Sequence, residues 1–201
     1  MRILLLKIPS MLYYKGAVAD DMPTDGTGNP VDPEKVYEKY NFDPVKAPNG
    51  EFCLGWFDAG EDEQLPIENI EGVEMEADTA ENVLVVWCAP YKDGRTTVVG
   101  WYGEATVLRG YADIEFDGGY VQTYNIMDDA HNCVLLPEGE RGLLRWNVPA
   151  AGEGQDFGMS RRDIWFPTGG IESDFIENLK NNIESYSGEN WLYKYPENPE
   201  E

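Results

Sequence analysis

The chain has 201 residues and a mass of 22.7 kDa, enough for one domain whose core needs no disulfides or structural metal. Hydrophobic residues make up 42% and aromatics 12%, which excludes a disordered chain. With 38 acids against 15 bases the net charge is −23, and such a surface repels phosphate backbones and anionic membranes.

The elements follow in order. Residues 2–9 (RILLLKIP) read as a buried strand, and residues 10–30, rich in Gly, Asp and Thr, as a long loop. Asp32-Pro33-Glu34 is a helix-start signal, so a short helix is expected through Tyr40. Residues 51–58 (EFCLGWFD) form a second strand. An acidic connector follows over residues 61–78, with a short strand at Ile67–Ile70. Residues 82–89 (NVLVVWCA) are the strongest strand signal, because the run is apolar, continuous and β-branched. Tyr91-Lys92-Asp93-Gly94 is a tight turn, residues 96–102 pair back as a hairpin, and Gly103 marks a bulge before residues 105–108. Further strands are expected at residues 120–127, 132–136 and 143–148. Ser173 caps an amphipathic helix over residues 174–186 whose Phe175, Ile176, Leu179, Ile183 and Tyr186 share the core face.

Seven or eight short strands and one late helix predict an α+β, mainly β fold: a small twisted barrel flanked by short helices. Residues 1–190 form one domain, and residues 191–201 an acidic disordered tail. The apolar run Ile3–Leu6 is too short for a signal-peptide core or a span, so no membrane role is expected. Cys53, Cys88 and Cys133 are far apart and odd in number, which suits reduced thiols in the cytoplasm.

The charge is uneven. Residues 47–91 carry eleven acids and no base, whereas residues 92–162 carry seven bases. Solubility, a salt-rich habitat and polyanion mimicry each account for it. A nucleic-acid role needs a local basic face, and only the later segment can supply one. No Walker, GxGxxG, GxSxG or HExxH pattern is present, so no cofactor and no enzymatic activity are expected. The nearest catalytic cluster is Asp128, Asp129 and His131, two carboxylates and an imidazole that suit a divalent ion or a proton shuttle. Turn-capping is the competing reading.

The stretch VLVVWCAPYKDGRTTVVGWYGEATVLR, residues 83–109, resembles the central hairpin of a PUA-like (EVE/YTH-related) domain found at the N-terminus of certain HNH restriction endonucleases. Residues 1–16, 124–126, 130–141, 147–149 and 157–166 resemble further pieces of it in the same order. The resemblance implies a PUA-like barrel that inspects a modified base, such as methylated cytosine, after it is flipped from the duplex. It implies an aromatic slot of Trp87, Trp101, Tyr102 and Trp165, with Tyr124, Asn125 and Ser160 reading the polar edge. Strand alternation puts Trp101 and Tyr102 on opposite faces, so one of them packs in the core. Arg109, Arg145, Arg161 and Arg162, with Arg141 nearby, are the candidates for a phosphate-binding rim. The family's basic residue after Val-Pro is Ala150 here, and its lysine after Gly-Trp-Tyr is replaced by Gly103-Glu104. No nuclease motif follows, so cleavage would have to come from a nuclease partner. The alternative expectation is an acidic, DNA-mimicking protein that engages a basic partner.

Overall fold

The structure is a computed structural model that describes residues 2–61, 63–151, 157–159 and 163–196. The fold is mainly β, and its strands form one mixed sheet. They are β1 (Arg2–Lys7), β2 (Val45–Ala47), β3 (Gly50–Gly55), β4 (Thr79–Pro90), β5 (Thr96–Glu115), β6 (Val121–Asp129), β7 (Cys133–Leu135), β8 (Asn147–Val148) and β9 (Ile164–Trp165). The order is β2-β3-β6-β5-β4-β1-β9, with β7 and β8 also paired to β5. β1 runs parallel to β4, and the other pairings are antiparallel.

β5 is the spine, 20 residues long. Its expected two pieces are one strand, because the extra residue is absorbed as a bulge. Val85 faces Tyr102 and Val83 faces Ala105, so β5 holds one residue more than β4 across Gly103-Glu104.

The continuous apolar run of β4 has a simple cause: the strand is covered on both faces. Val83, Val85, Trp87 and Ala89 enter one core with Leu4, Leu6 and Ile8. Leu84, Val86 and Cys88 enter a second core with Ile3 and Leu5. The first core is closed by Tyr14, Phe42, Phe57, Leu65 and Leu192. The second is closed by Trp146 and by Ile176, Leu179 and Ile183 of helix α2 (Ser173–Glu184). Burial of each such aliphatic side chain stabilises by about 1.5–3 kcal/mol.

Four expectations need correction. Residues 32–40 form two 3-10 turns, Pro33–Lys35 and Tyr37–Tyr40, rather than one helix. The chain extends at Val36 (φ −103°, ψ 93°), whose side chain is buried. Ile67–Asn69 is a 3-10 turn, not a strand. Leu144–Trp146 is likewise a 3-10 turn, which leaves Leu144 exposed while Trp146 enters the second core. The tail does not start at residue 191. Trp191–Tyr193 form a 3-10 turn with Leu192 fully buried, and the Asn190 amide bonds the backbone of Leu135 and Cys133. The other α-helix is the single turn α1 (Glu138–Arg141). Among the described residues, no helix is long and apolar enough to cross a membrane.

Candidate functional site

The four aromatic residues expected to form a slot do not meet. Trp87 and Tyr102 lie on one face of the β4–β5 hairpin, packed edge-on at 5.4 Å, and both are fully buried in the first core. Trp101 and Trp165 lie in the second core. Trp101 stacks on Trp146 at 5.7 Å, and Trp165 stacks on Phe175 of α2 at 5.7 Å. Period-2 alternation separates Trp101 from Tyr102, and the covering layers seal both faces. A Cβ at Gly55 would lie 2.7 Å from Trp87 Cζ2, so no room remains beside that ring. The Trp87 Nε1 donor has no hydrogen-bond partner among the described residues.

The polar-edge residues are also placed differently. Asn125 is fully buried and clamps Phe57: its Oδ1 accepts the Phe57 N–H at 3.0 Å, and its Nδ2 donates to the Phe57 carbonyl at 2.8 Å. Tyr124 is half-buried on β6. Ser160, Arg161 and Arg162 lie outside the described residues.

The expected phosphate rim is not formed by the described arginines. Arg109 donates to the Glu68 carboxylate and to the carbonyls of Ala77 and Met75. Arg145 pairs with Glu140 and covers the Trp146 ring. Arg141 is buried and donates to the carbonyls of Leu136, Met11 and Leu12, which ties the 10–30 loop to the sheet.

The Asp128, Asp129 and His131 side chains do not converge on one point. Asp128 is buried and accepts from the Glu104 N–H at 2.8 Å and Asn132 Nδ2 at 3.0 Å, while Asp129 and His131 face solvent. Burial raises the Asp128 carboxyl above its ordinary range. Among the described residues, no group of three or more His, Cys, Asp or Glu side chains is arranged to hold a metal ion.

The structure instead opens a cleft of about 770 Å³ at the C-terminal end of β1. That volume suits a small organic ligand. Its apolar lining includes Ile8, Phe57, Leu65, Pro90 and Ile164, and its polar lining Lys7, Asp25, Glu38, Asp58, Glu61 and Asp163. Five carboxyl groups thus face one ammonium. Lys7 is already paired with Asp163, a non-glycine residue held in the left-handed region (φ 60°). The strain at Asp163 is tolerated because its carbonyl accepts the Lys7 N–H at 2.7 Å.

Glu38 is the distinctive group. Its side chain is buried in the wall of the cleft, on the second 3-10 turn. Burial pushes its carboxyl up to about 7, with repulsion from Asp58 and Asp163 adding to the rise and backbone N–H groups of Glu38 and Tyr37 opposing it. Asp25 behaves in the opposite way. Hydrogen bonds from Asn29 and Thr27 hold its carboxyl down at about 2, so it stays ionised. At neutral pH the cleft therefore holds one carboxyl group able both to donate and to accept.

Beside the cleft runs a row of three rings. Tyr37 packs on Trp56 at 4.9 Å, and Trp56 stacks on Tyr111 at 5.8 Å and 13°. Tyr37 is 57% exposed. The row is fixed from behind. Asn41 Oδ1 accepts the Trp56 N–H at 2.9 Å, and Asn41 Nδ2 donates to the Trp56 carbonyl at 3.0 Å. The Tyr111 hydroxyl donates to the Phe57 carbonyl and accepts from the Ala59 N–H.

Sequence reasoning missed both features. The cleft draws on residues from several separate segments, so no spacing reveals it. The row had one local signal: Trp56 leaves an apolar strand into Phe-Asp-Ala-Gly, where polar neighbours imply an edge rather than a core. Comparison with known protein families, curated proteins and solved structures finds no match.

Proposed function

We propose that this protein is a non-catalytic binding module that takes one modified base, such as methylated cytosine, in the cleft beside Glu38. The observation that carries the reading is the Glu38 carboxyl buried in the wall of a partly apolar cleft, where burial pushes it up to about 7. In its protonated form such a group donates to ring N3 of cytosine and accepts from the 4-amino group. A methyl group adds contact with apolar lining such as Ile8, Phe57 and Ile164. The mixed sheet with short flanking helices is compatible with a PUA-like barrel, and the resemblance of residues 83–109 supports the base-reading role. Trp87, Trp101, Tyr102 and Trp165 then act as the packed frame behind the cleft. Arg109 and Arg145 are committed to Glu68 and Glu140. The described arginines therefore add no attraction for the phosphates of a strand.

Calorimetric titration with 5-methyl-2′-deoxycytidine, 2′-deoxycytidine and short single strands carrying either base tests this. The methylated ligands bind more tightly, and Glu38→Ala weakens them by roughly tenfold or more, whereas Glu38→Gln, whose amide keeps a donor and an acceptor, retains most of the affinity. Equal, negligible binding of methylated and plain ligands overturns the proposal.

A further inference from the structure

We infer that Tyr37, Trp56 and Tyr111 form a docking platform for an arginine-rich segment of a basic protein partner. None of the three rings lines the base-binding cleft, although Glu38 and Asp58 stand between the two.

Accessibility comes first. Four of the six tryptophans, Trp87, Trp101, Trp146 and Trp165, are core residues. Trp191 is half-buried between Tyr13 and the Lys194 ammonium. Trp56 is half-buried as well, but it carries the exposed Tyr37 ring on its outer side. Rigidity comes second. The buried amides of Asn41 and Asn125 and the Tyr111 hydroxyl fix residues 56–59, so little order is lost when a partner docks.

Charge decides the partner. Glu38, Asp58 and Glu63 all lie close enough to Tyr111 to push its hydroxyl up, although burial is the larger cause. The neighbouring bases are occupied. Lys39 donates to the Pro33 carbonyl at 2.6 Å and lies over Tyr40, and Arg109 pairs with Glu68. Residues 47–91, which supply Trp56 and two of the three acids, contain no lysine or arginine. A guanidinium lies flat on the exposed Tyr37 phenol ring while its N–H fork reaches the exposed carboxylates of Asp58 and Glu63. An ammonium satisfies only one of those demands at a time. A nucleic-acid base stacking here gains the ring contact alone, because it carries no cation to set against Asp58 and Glu63.

The test uses the full chain and two synthetic peptides, nona-arginine and nona-lysine. Binding is read by calorimetry at two salt concentrations and by the ¹⁵N indole resonances. Nona-arginine binds more tightly than nona-lysine, shifts the Trp56 indole signal and leaves that of Trp87 in place. Tyr37→Ala weakens nona-arginine by roughly tenfold, as loss of a stacked cation on an open face predicts. Asp174→Asn with Glu177→Gln, which removes two exposed acids from α2, changes affinity by less than about twofold, as screened surface charges do. Equal affinity for the two peptides, or a Tyr37→Ala variant that binds like the parent, reduces the interaction to bulk charge and overturns the inference. So does a thymidine oligonucleotide that shifts the Trp56 signal at lower concentration than nona-arginine.

Discussion

The molecule contains two aromatic neighbourhoods built on opposite plans. On the β4–β5 hairpin, Trp87 and Tyr102 face one core and Trp101 faces the other, with a helix or a loop layer over each. At the end of β3, Tyr37 packs on Trp56 and Trp56 stacks on Tyr111 near the surface, with Asp58, Glu63 and Glu38 close to Tyr111. The hairpin rings are held mainly by packing, with the Tyr102 hydroxyl also donating to the Asn41 carbonyl, whereas the surface row rests on backbone fixed by the Asn41 amide and the Tyr111 hydroxyl. The difference teaches that aromatic clustering along a sequence does not mark a binding slot. What marks one is a ring whose neighbours are polar and whose backbone is independently fixed.

That contrast can be broken most severely at Trp87. Trp87→Ala leaves a void in the first core and should cost about 3–5 kcal/mol. Trp87→Phe should cost far less, since it keeps a ring and removes a buried N–H that has no partner among the described residues. Urea unfolding of both variants gives the comparison. Equal losses would mean the indole nitrogen is satisfied after all.

Glu38 sharpens the cleft's side of the contrast. Its carboxyl titrates near 7 in the folded state against 4.5 for an ordinary glutamate, so between those values the folded protein binds more protons than the unfolded chain. Stability therefore falls as pH rises through that window, by about 3 kcal/mol in all. Glu38→Gln removes this slope. The variant gains on the parent between pH 4 and pH 8 by up to about 3 kcal/mol, read from urea midpoints at the two pH values. A constant difference at both ends contradicts the assignment.

Smaller again is Gly55→Ala. Its new methyl lies 2.7 Å from Trp87 Cζ2 and 3.2 Å from Tyr102 Cε2, so neighbouring rings must shift. The expected cost is about 1–3 kcal/mol, measured as a lowered unfolding midpoint. Smallest is Tyr37→Ala, which sits on the open platform and should leave stability within about 0.5 kcal/mol of the parent. A loss of several kcal/mol there would make Tyr37 a core residue and erase the contrast.

Much of the frame was legible in the residues. The unbroken apolar run of β4, the Asp-Gly turn at Asp93-Gly94, the bulge at Gly103 and the buried stripe Ile176, Leu179 and Ile183 each follow from local patterning. Even the sealing of Trp87 was written there, because a run apolar at every position implies cover on both faces. The resemblance drew the hairpin aromatics toward a ligand, and the strand pattern argued for packing. The cleft was not legible. Lys7, Glu38, Asp58 and Asp163 come from four stretches that meet only through the β1–β9 and β3–β6 pairings and the turns beside them. Nor was the role of Asn41 and Asn125. An amide that substitutes for a strand partner has no sequence period to betray it.

The most direct test is an amide ¹H–¹⁵N titration of the protein with 5-methyl-2′-deoxycytidine near pH 7. The account predicts that the signals of Ile8, Phe57, Ala59 and Asp163 move together and saturate, while those of Val98 to Trp101 stay fixed. Saturating shifts centred on Trp87 and Trp101, or a spectrum that does not change at any ligand concentration, would contradict it.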